Sequence, residues 1–149
     1  WHTICDAFGR LIVNDSWETF TLYDANTDNS DKSFTVPSNY EYRISNLLVT
    51  LMTNSTVGNR QIAIEITDGT NKLAIIRAGA TQAASLTRYY NFNKNMPDLT
   101  AFRDSDYLST QIPDIVLRAG YVIRVYDKTA ISVGGDDMIV SFTFSRRQV

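Results

Sequence analysis

Phe34-Thr-Val-Pro-Ser-Asn-Tyr-Glu-Tyr-Arg-Ile44 and Ile115-Val-Leu-Arg-Ala-Gly-Tyr-Val-Ile-Arg-Val125 are two copies of one pattern. Each runs as a short alternating strand, then small or turn-forming residues, then Tyr, a spacer, an aromatic or aliphatic residue, Arg and a β-branched residue. Asn39 and Gly120 fall at the equivalent turn position, and both residue types tolerate the left-handed backbone that others avoid. The repeat predicts antiparallel β-structure with two similar hairpin corners of a sandwich.

Working outward, residues 17–23, 33–36, 40–53, 60–67, 72–77, 86–92, 115–117, 121–127 and 138–144 read as strands by alternation and β-branched or aromatic content. Ile44, Leu48 and Leu51 mark the long strand 40–53 as largely buried. Ile62, Ile64 and Ile66 are expected on one face of strand 60–67, with Gln61, Ala63 and Glu65 on the other. Asp68-Gly-Thr-Asn71 predicts a tight hairpin turn, because Asp-Gly suits positive φ. Residues 78–84 are small and fit either a loop or a short helical turn. Residues 93–114 lack periodicity and contain Pro97 and Pro113, with a short strand expected at 107–110. Long segments of this kind inside a domain tend to be functional. The fold class that results is all-β: a single-domain, jelly-roll-like antiparallel β-sandwich over residues 16–149. Residues 1–15 form either an N-terminal arm or the first strand.

At 149 residues, with 44% hydrophobic and 20% charged residues, the chain has material for one core. The net charge of −2, with Arg146-Arg147 the one adjacent basic pair, argues against a nucleic-acid partner. No apolar run approaches the roughly 20 residues of a membrane-spanning helix, so no membrane partner is expected. The first residues lack a basic stretch followed by an apolar core, so no signal peptide is expected.

Cys5 and His2 are the sole cysteine and histidine, too few for a structural zinc site and unsupported as a catalytic relay. The stretch Asp24-Ala-Asn-Thr-Asp-Asn-Ser30 alternates oxygen side chains as a calcium loop does. However, Asn29 stands where such a loop needs Gly and Thr35 where it needs Glu, so a polar turn is expected for residues 24–31, between Asp24 and Asp31. Asp104/Asp106 and Asp136/Asp137 are acid pairs of the type a glycosidase uses. Asp136 and Asp137 follow Gly134-Gly135, which predicts a turn. No enzyme activity and no cofactor are expected. Asn14-Asp-Ser16 and Asn54-Ser-Thr56 are glycosylation sequons, meaningful in a eukaryotic secretory setting.

Arg88-Tyr89-Tyr90 and Tyr121/Arg124/Tyr126 are aromatic–arginine groups, suited to interface anchors, to cross-strand pairs or to a sugar-stacking face. The arm adds Trp1, Phe8, Leu11, Ile12 and Val13, and the long segment adds Phe102, Arg103 and Tyr107. The candidate interface residues are Trp1, Phe8, Leu11, Arg88, Tyr89, Tyr90, Phe102, Arg103 and Tyr107.

Taken together, residues 57–61 (Val-Gly-Asn-Arg-Gln), 77–92, 98–110, 117–127 and 136–140 (Asp-Asp-Met-Ile-Val) resemble small β-sandwich virion proteins of tailed bacteriophages. The resemblance spans about residues 16–144. It implies a virion structural protein, foremost a capsid decoration (cement) protein that bridges subunits non-covalently as a dimer or trimer. The implied partners are the major capsid protein, other virion proteins or further copies of the chain. A head–tail or tail component is the alternative within the virion, and a carbohydrate-binding module for host recognition is the rival from another class. The resemblance carries no catalytic residues.

Overall fold

A computed structural model describes residues 4–5, 11–12, 17–24, 28–95, 105–132 and 134–149. The strands are β1 (Ile4–Cys5), β2 (Leu11–Ile12), β3 (Glu18–Asp24), β4 (Lys32–Thr35), β5 (Tyr40–Met52), β6 (Ile62–Thr67), β7 (Lys72–Arg77), β8 (Thr87–Asn93), β9 (Tyr107–Gln111), β10 (Val116–Leu117), β11 (Val122–Asp127) and β12 (Asp137–Gln148). β1 and β2 pair with each other as a separate two-stranded ribbon.

The remaining strands form two sheets. One has the order β3-β12-β5-β8-β9, with β10 taking over from β8 further along β5; the other has the order β4-β11-β6-β7. The antiparallel pairs β6/β7, β5/β8, β4/β11 and β3/β12 are nested in sequence. The chain is therefore one long β-ribbon rolled up, with its tip at residues 68–71, and the jelly-roll expectation holds. At the tip, Gly69 takes φ +98°, and Asp68 Oδ1 accepts the amides of Thr70 and Asn71 at 2.9 and 2.6 Å.

The core lies between the two sheets. Leu47, Val49, Leu51, Tyr90, Phe92, Val140, Phe142 and Phe144 from one sheet meet Ile62, Ile64, Ile66, Ile123 and Val125 from the other. Phe34 on β4 and Phe142 on β12 touch across the layers, with ring centroids 5.3 Å apart. Strand β6 departs from the simple alternation expected of it: Ala63 and Glu65 are buried along with the three isoleucines. Glu65 is covered by Lys72 Nζ at 2.7 Å and Arg124 Nη1 at 3.1 Å.

The repeated pattern is a sandwich corner, but it is not a hairpin. Its first copy leaves β4 in one sheet and enters β5 in the other, while its second leaves β10 and enters β11 in the opposite sense. The two copies then bond to each other. Gly120 N donates to Val36 O and Val36 N to Tyr121 O, both at 2.9 Å, while β10 pairs β5 and β11 pairs β4. Asn39 and Gly120 do take positive φ, +67° and +83°. A turn that redirects the chain across a core uses the same residue types as one that folds a strand back on itself, so sequence alone does not separate them.

Leu48 also departs from expectation. The β5/β12 register shifts between Thr143 and Phe144, leaving Ser45 unpaired opposite them. Before this bulge the even residues Tyr42 and Ile44 are buried; after it the odd residues Leu47, Val49 and Leu51 are. Leu48 therefore turns to the outer face and is half-buried.

Candidate interaction surface

The segment between β8 and β11 builds the most distinctive surface. Strand β9 begins beside the start of β8 and adds to it in parallel, with Tyr89 opposite Tyr107 and Tyr90 opposite Leu108. Parallel pairing needs a connection of a dozen or more residues, which this aperiodic stretch supplies. It makes β9 the edge of the larger sheet.

Alternation then sorts the Arg-Tyr-Tyr group. Tyr89 points outward and stacks on Tyr107, with ring centroids 5.2 Å apart and planes 13° from parallel. Tyr89 is 37% and Tyr107 51% exposed. Thr50 lies beside Tyr89 on β5, and the Tyr89 amide donates to Asp106 O at 2.8 Å, which fixes where the pair starts.

Tyr90, one position on, faces the core and is 1% exposed, so it does not belong to the interface expected of it. Its hydroxyl donates to Gln82 Oε1 at 2.9 Å, and burial pushes its pKa up to about 12. Gln82 in turn donates to Leu51 O and Leu86 O at 2.8 and 2.9 Å, so residues 78–84 are a pinned loop with no helical turn. Arg88 lies on the inner row as well: its Nη1 donates to Thr81 O at 2.6 Å and its Nε stands 4.0 Å from Asp106 Oδ1. Trp1, Phe8, Phe102 and Arg103 lie outside the described residues, and Leu11 sits in β2, which pairs with β1.

The remaining polar motifs resolve into supports. Lys32 Nζ stands 2.7 Å from Asp28 Oδ1 and 3.8 Å from Asp24 Oδ1, so an internal ammonium faces two of the carboxylates that suggested a calcium loop. That contact and the neighbouring Ser30 hold the Asp28 carboxyl down to about 2. Asn29 donates to buried Asp127, which also accepts from the Gln61 and Thr129 amides. Arg124 lies 4.2 Å over the ring of Tyr126, two residues along the same strand, and binds Asp31, so the group stacks within β11 and not across strands. Among the described residues no cluster of three or more His, Cys, Asp or Glu side chains is placed to hold a metal ion.

The sequence reading missed the tightest polar site. Arg60 is fully buried, and its five N–H groups have five acceptors. Nε and Nη2 bind Asp136 Oδ2 and Oδ1 at 2.7 and 3.1 Å. Nη1 binds Thr56 O and Gly58 O at 2.8 and 2.7 Å, and Nη2 also reaches Asn54 Oδ1 at 3.2 Å. Asp136 additionally accepts the Asn54 amide at 2.8 Å, and its own amide bonds Ser132 O, so the turn expected after Gly134-Gly135 is there with an ion pair inside it. Asn54 Nδ2 donates to Ser132 Oγ, so this sequon side chain is already engaged, and Asn14 lies outside the described residues. No cue in the sequence pairs positions 76 residues apart.

No family model matches this chain, and no curated protein does. Among solved structures, a chain of PfGH50B aligns at 12% identity with a TM-score of 0.34, covering 91% of this chain and 19% of that one. A chain from the structure of infectious bursal disease virus, Gx strain, aligns at 11% identity with a TM-score of 0.29, covering 92% and 43%. The chain thus spans less than half of either. Likeness this slight carries no argument about activity or assembly.

Proposed function

We propose that this chain is a non-enzymatic virion structural protein of a tailed bacteriophage, acting as a capsid decoration protein on the surface of the head. The observation that carries this reading is the exposed Tyr89–Tyr107 stack at the β9 edge. Two rigid aromatic residues set side by side on a sheet edge are the kind of anchor that dominates protein interfaces. A jelly roll presents that anchor on an inflexible frame, and symmetry on a shell multiplies a modest contact into firm attachment. The buried carboxylates that would serve chemistry are engaged instead in support: Asp136 with Arg60, Asp127 with Asn29, and Glu65 with Lys72 and Arg124.

The test is co-sedimentation of the purified protein with phage heads lacking it. Wild-type protein is expected to bind, and a Tyr89→Ala/Tyr107→Ala variant is expected to be lost from the pellet while remaining folded. Undiminished binding by the double variant would remove this surface from the reading. Failure of wild-type protein to bind heads would remove the decoration role and leave a head–tail or tail position.

A second reading, a carbohydrate-binding module, is favoured by the same ring pair standing among outward-facing Thr87, Thr50 and Asn91. It predicts hits on a glycan array that vanish in the double variant.

A further inference from the structure

Arg146 is handled differently from the four arginines that the fold uses as ties. Among the described residues Arg60, Arg88, Arg124 and Arg147 each have a carboxylate within 4.0 Å, and Arg146, whose side chain meets that of Tyr42, has none. It follows Phe144 on the inward-facing row of β12, opposite Glu18 on β3 and Tyr42 on β5. Beyond Phe144 this row passes from buried to half-buried. The guanidinium carbon lies 3.5 Å from the Phe20 ring centroid and 4.9 Å from that of Tyr40. A guanidinium held against rings keeps its plane fixed and donates from its edge, the geometry that suits a carboxylate.

That side chain lines a pocket of about 150 Å3 with Tyr40, Gln148, Glu18 and Arg147. Arg147 is tied to Glu41 at 3.0 Å. The volume falls below the roughly 300–1,000 Å3 of pockets that take a whole small molecule, and suits one functional group on a short stem. Tyr40 and Gln148 are its neutral lining residues, and both side chains carry hydrogen-bonding groups. Glu18 is a like charge for any anion and limits its affinity.

We infer that this pocket is a subsite for a single carboxylate carried by a docking polypeptide, an aspartate or glutamate side chain received by Arg146. It is separate from the Tyr89–Tyr107 surface, which lies on the outer face toward the other end of β5, so either can fail without the other.

The experiment is an NMR titration of the labelled protein with N-acetylglutamic acid α-amide, beside its neutral counterpart N-acetylglutamine α-amide. The acid is expected to move the Arg146 and Gln148 side-chain signals with millimolar affinity that falls as salt is added, and the neutral amide to leave them unmoved. Glu18→Gln is expected to tighten binding roughly two- to fivefold by removing the like charge. Arg146→Lys keeps the charge but loses the planar fork, and a drop of roughly tenfold is expected. No response to the acid, an equal response to the neutral amide, or an affinity unchanged in Glu18→Gln would overturn the inference. So would binding of glucuronate or inorganic phosphate in place of the amino-acid probe. Glu18 is exposed at a strand end, so its variant decides the matter even if Arg146→Lys does not fold.

Discussion

Arg60 and Asp136 are bound so completely that neither can be removed alone. Asp136→Ala leaves a guanidinium at 0% exposure without its counter-charge, and breaking a buried pair on one side costs about 3–5 kcal/mol. Urea unfolding is expected to show a loss of this size, and Arg60→Met combined with Asp136→Leu is expected to cost less than the two single changes summed. Tyr90 makes the same point with a neutral partner. Tyr90→Phe strands Gln82 Oε1 in the core, for an expected loss of about 1–3 kcal/mol in the same assay. The hydroxyl also sets an alkaline limit. An unfolded chain ionises this tyrosine at its ordinary 10.0, whereas burial holds the folded proton until about 12. Stability present below pH 10 is therefore lost as pH rises from about 10 to about 12, and Tyr90→Phe should flatten the decline in denaturation midpoint across that window. At this scale the sequence marked Arg88-Tyr89-Tyr90 as a group. Which of the three faces out depends on strand parity, and Arg60 gave no sign of its distant partner.

Strand and turn elements were the most legible level. The Asp68–Asn71 tip and the positive-φ corners at Asn39 and Gly120 stand where the turn chemistry put them. A left-handed residue with a Cβ costs roughly 1–2 kcal/mol. Gly120→Ala meets nothing within 4 Å, so its whole penalty is backbone strain. Asn39→Ala is expected to lower the thermal midpoint while Asn39→Gly leaves it nearly unchanged, which differential scanning calorimetry will check. Strand β6 carries part of the acid-side behaviour, beside Asp28 and Asp68, whose carboxyls are also lowered. Lys72, hydrogen-bonded to Glu65, and then Arg124 hold the Glu65 carboxyl below its ordinary 4.5. A lowered folded value means stability that is present above pH 4.5 and drains away as pH falls through the folded value. Glu65→Gln should therefore remove part of the acid slope in a pH series of urea midpoints. What the pattern misjudged, Leu48 and the hairpin reading of the repeat, turned on a bulge and on which sheet each strand joins; both depend on chains distant in sequence.

For the molecule as a whole, the Tyr89–Tyr107 pair decides between a supporting and a docking role. Tyr89→Ala/Tyr107→Ala removes two partly exposed rings, so the unfolding midpoint is expected to shift by no more than about 1 kcal/mol. Light scattering of the wild-type protein is expected to give a dimer or trimer, the symmetric form a shell position calls for. Alternation, turn residues and composition by themselves determined an all-β chain, its strands to within a few residues and the ribbon's tip, because those signals are local to a few neighbouring residues. Only the tertiary structure decided that Tyr107 lies beside Tyr89, that Tyr90 belongs to the core, and that Arg60 closes on Asp136 while Arg146 meets no carboxylate among the described residues. These outcomes rest on pairings between positions far apart in the chain, and rolling the ribbon is what brings such positions into contact.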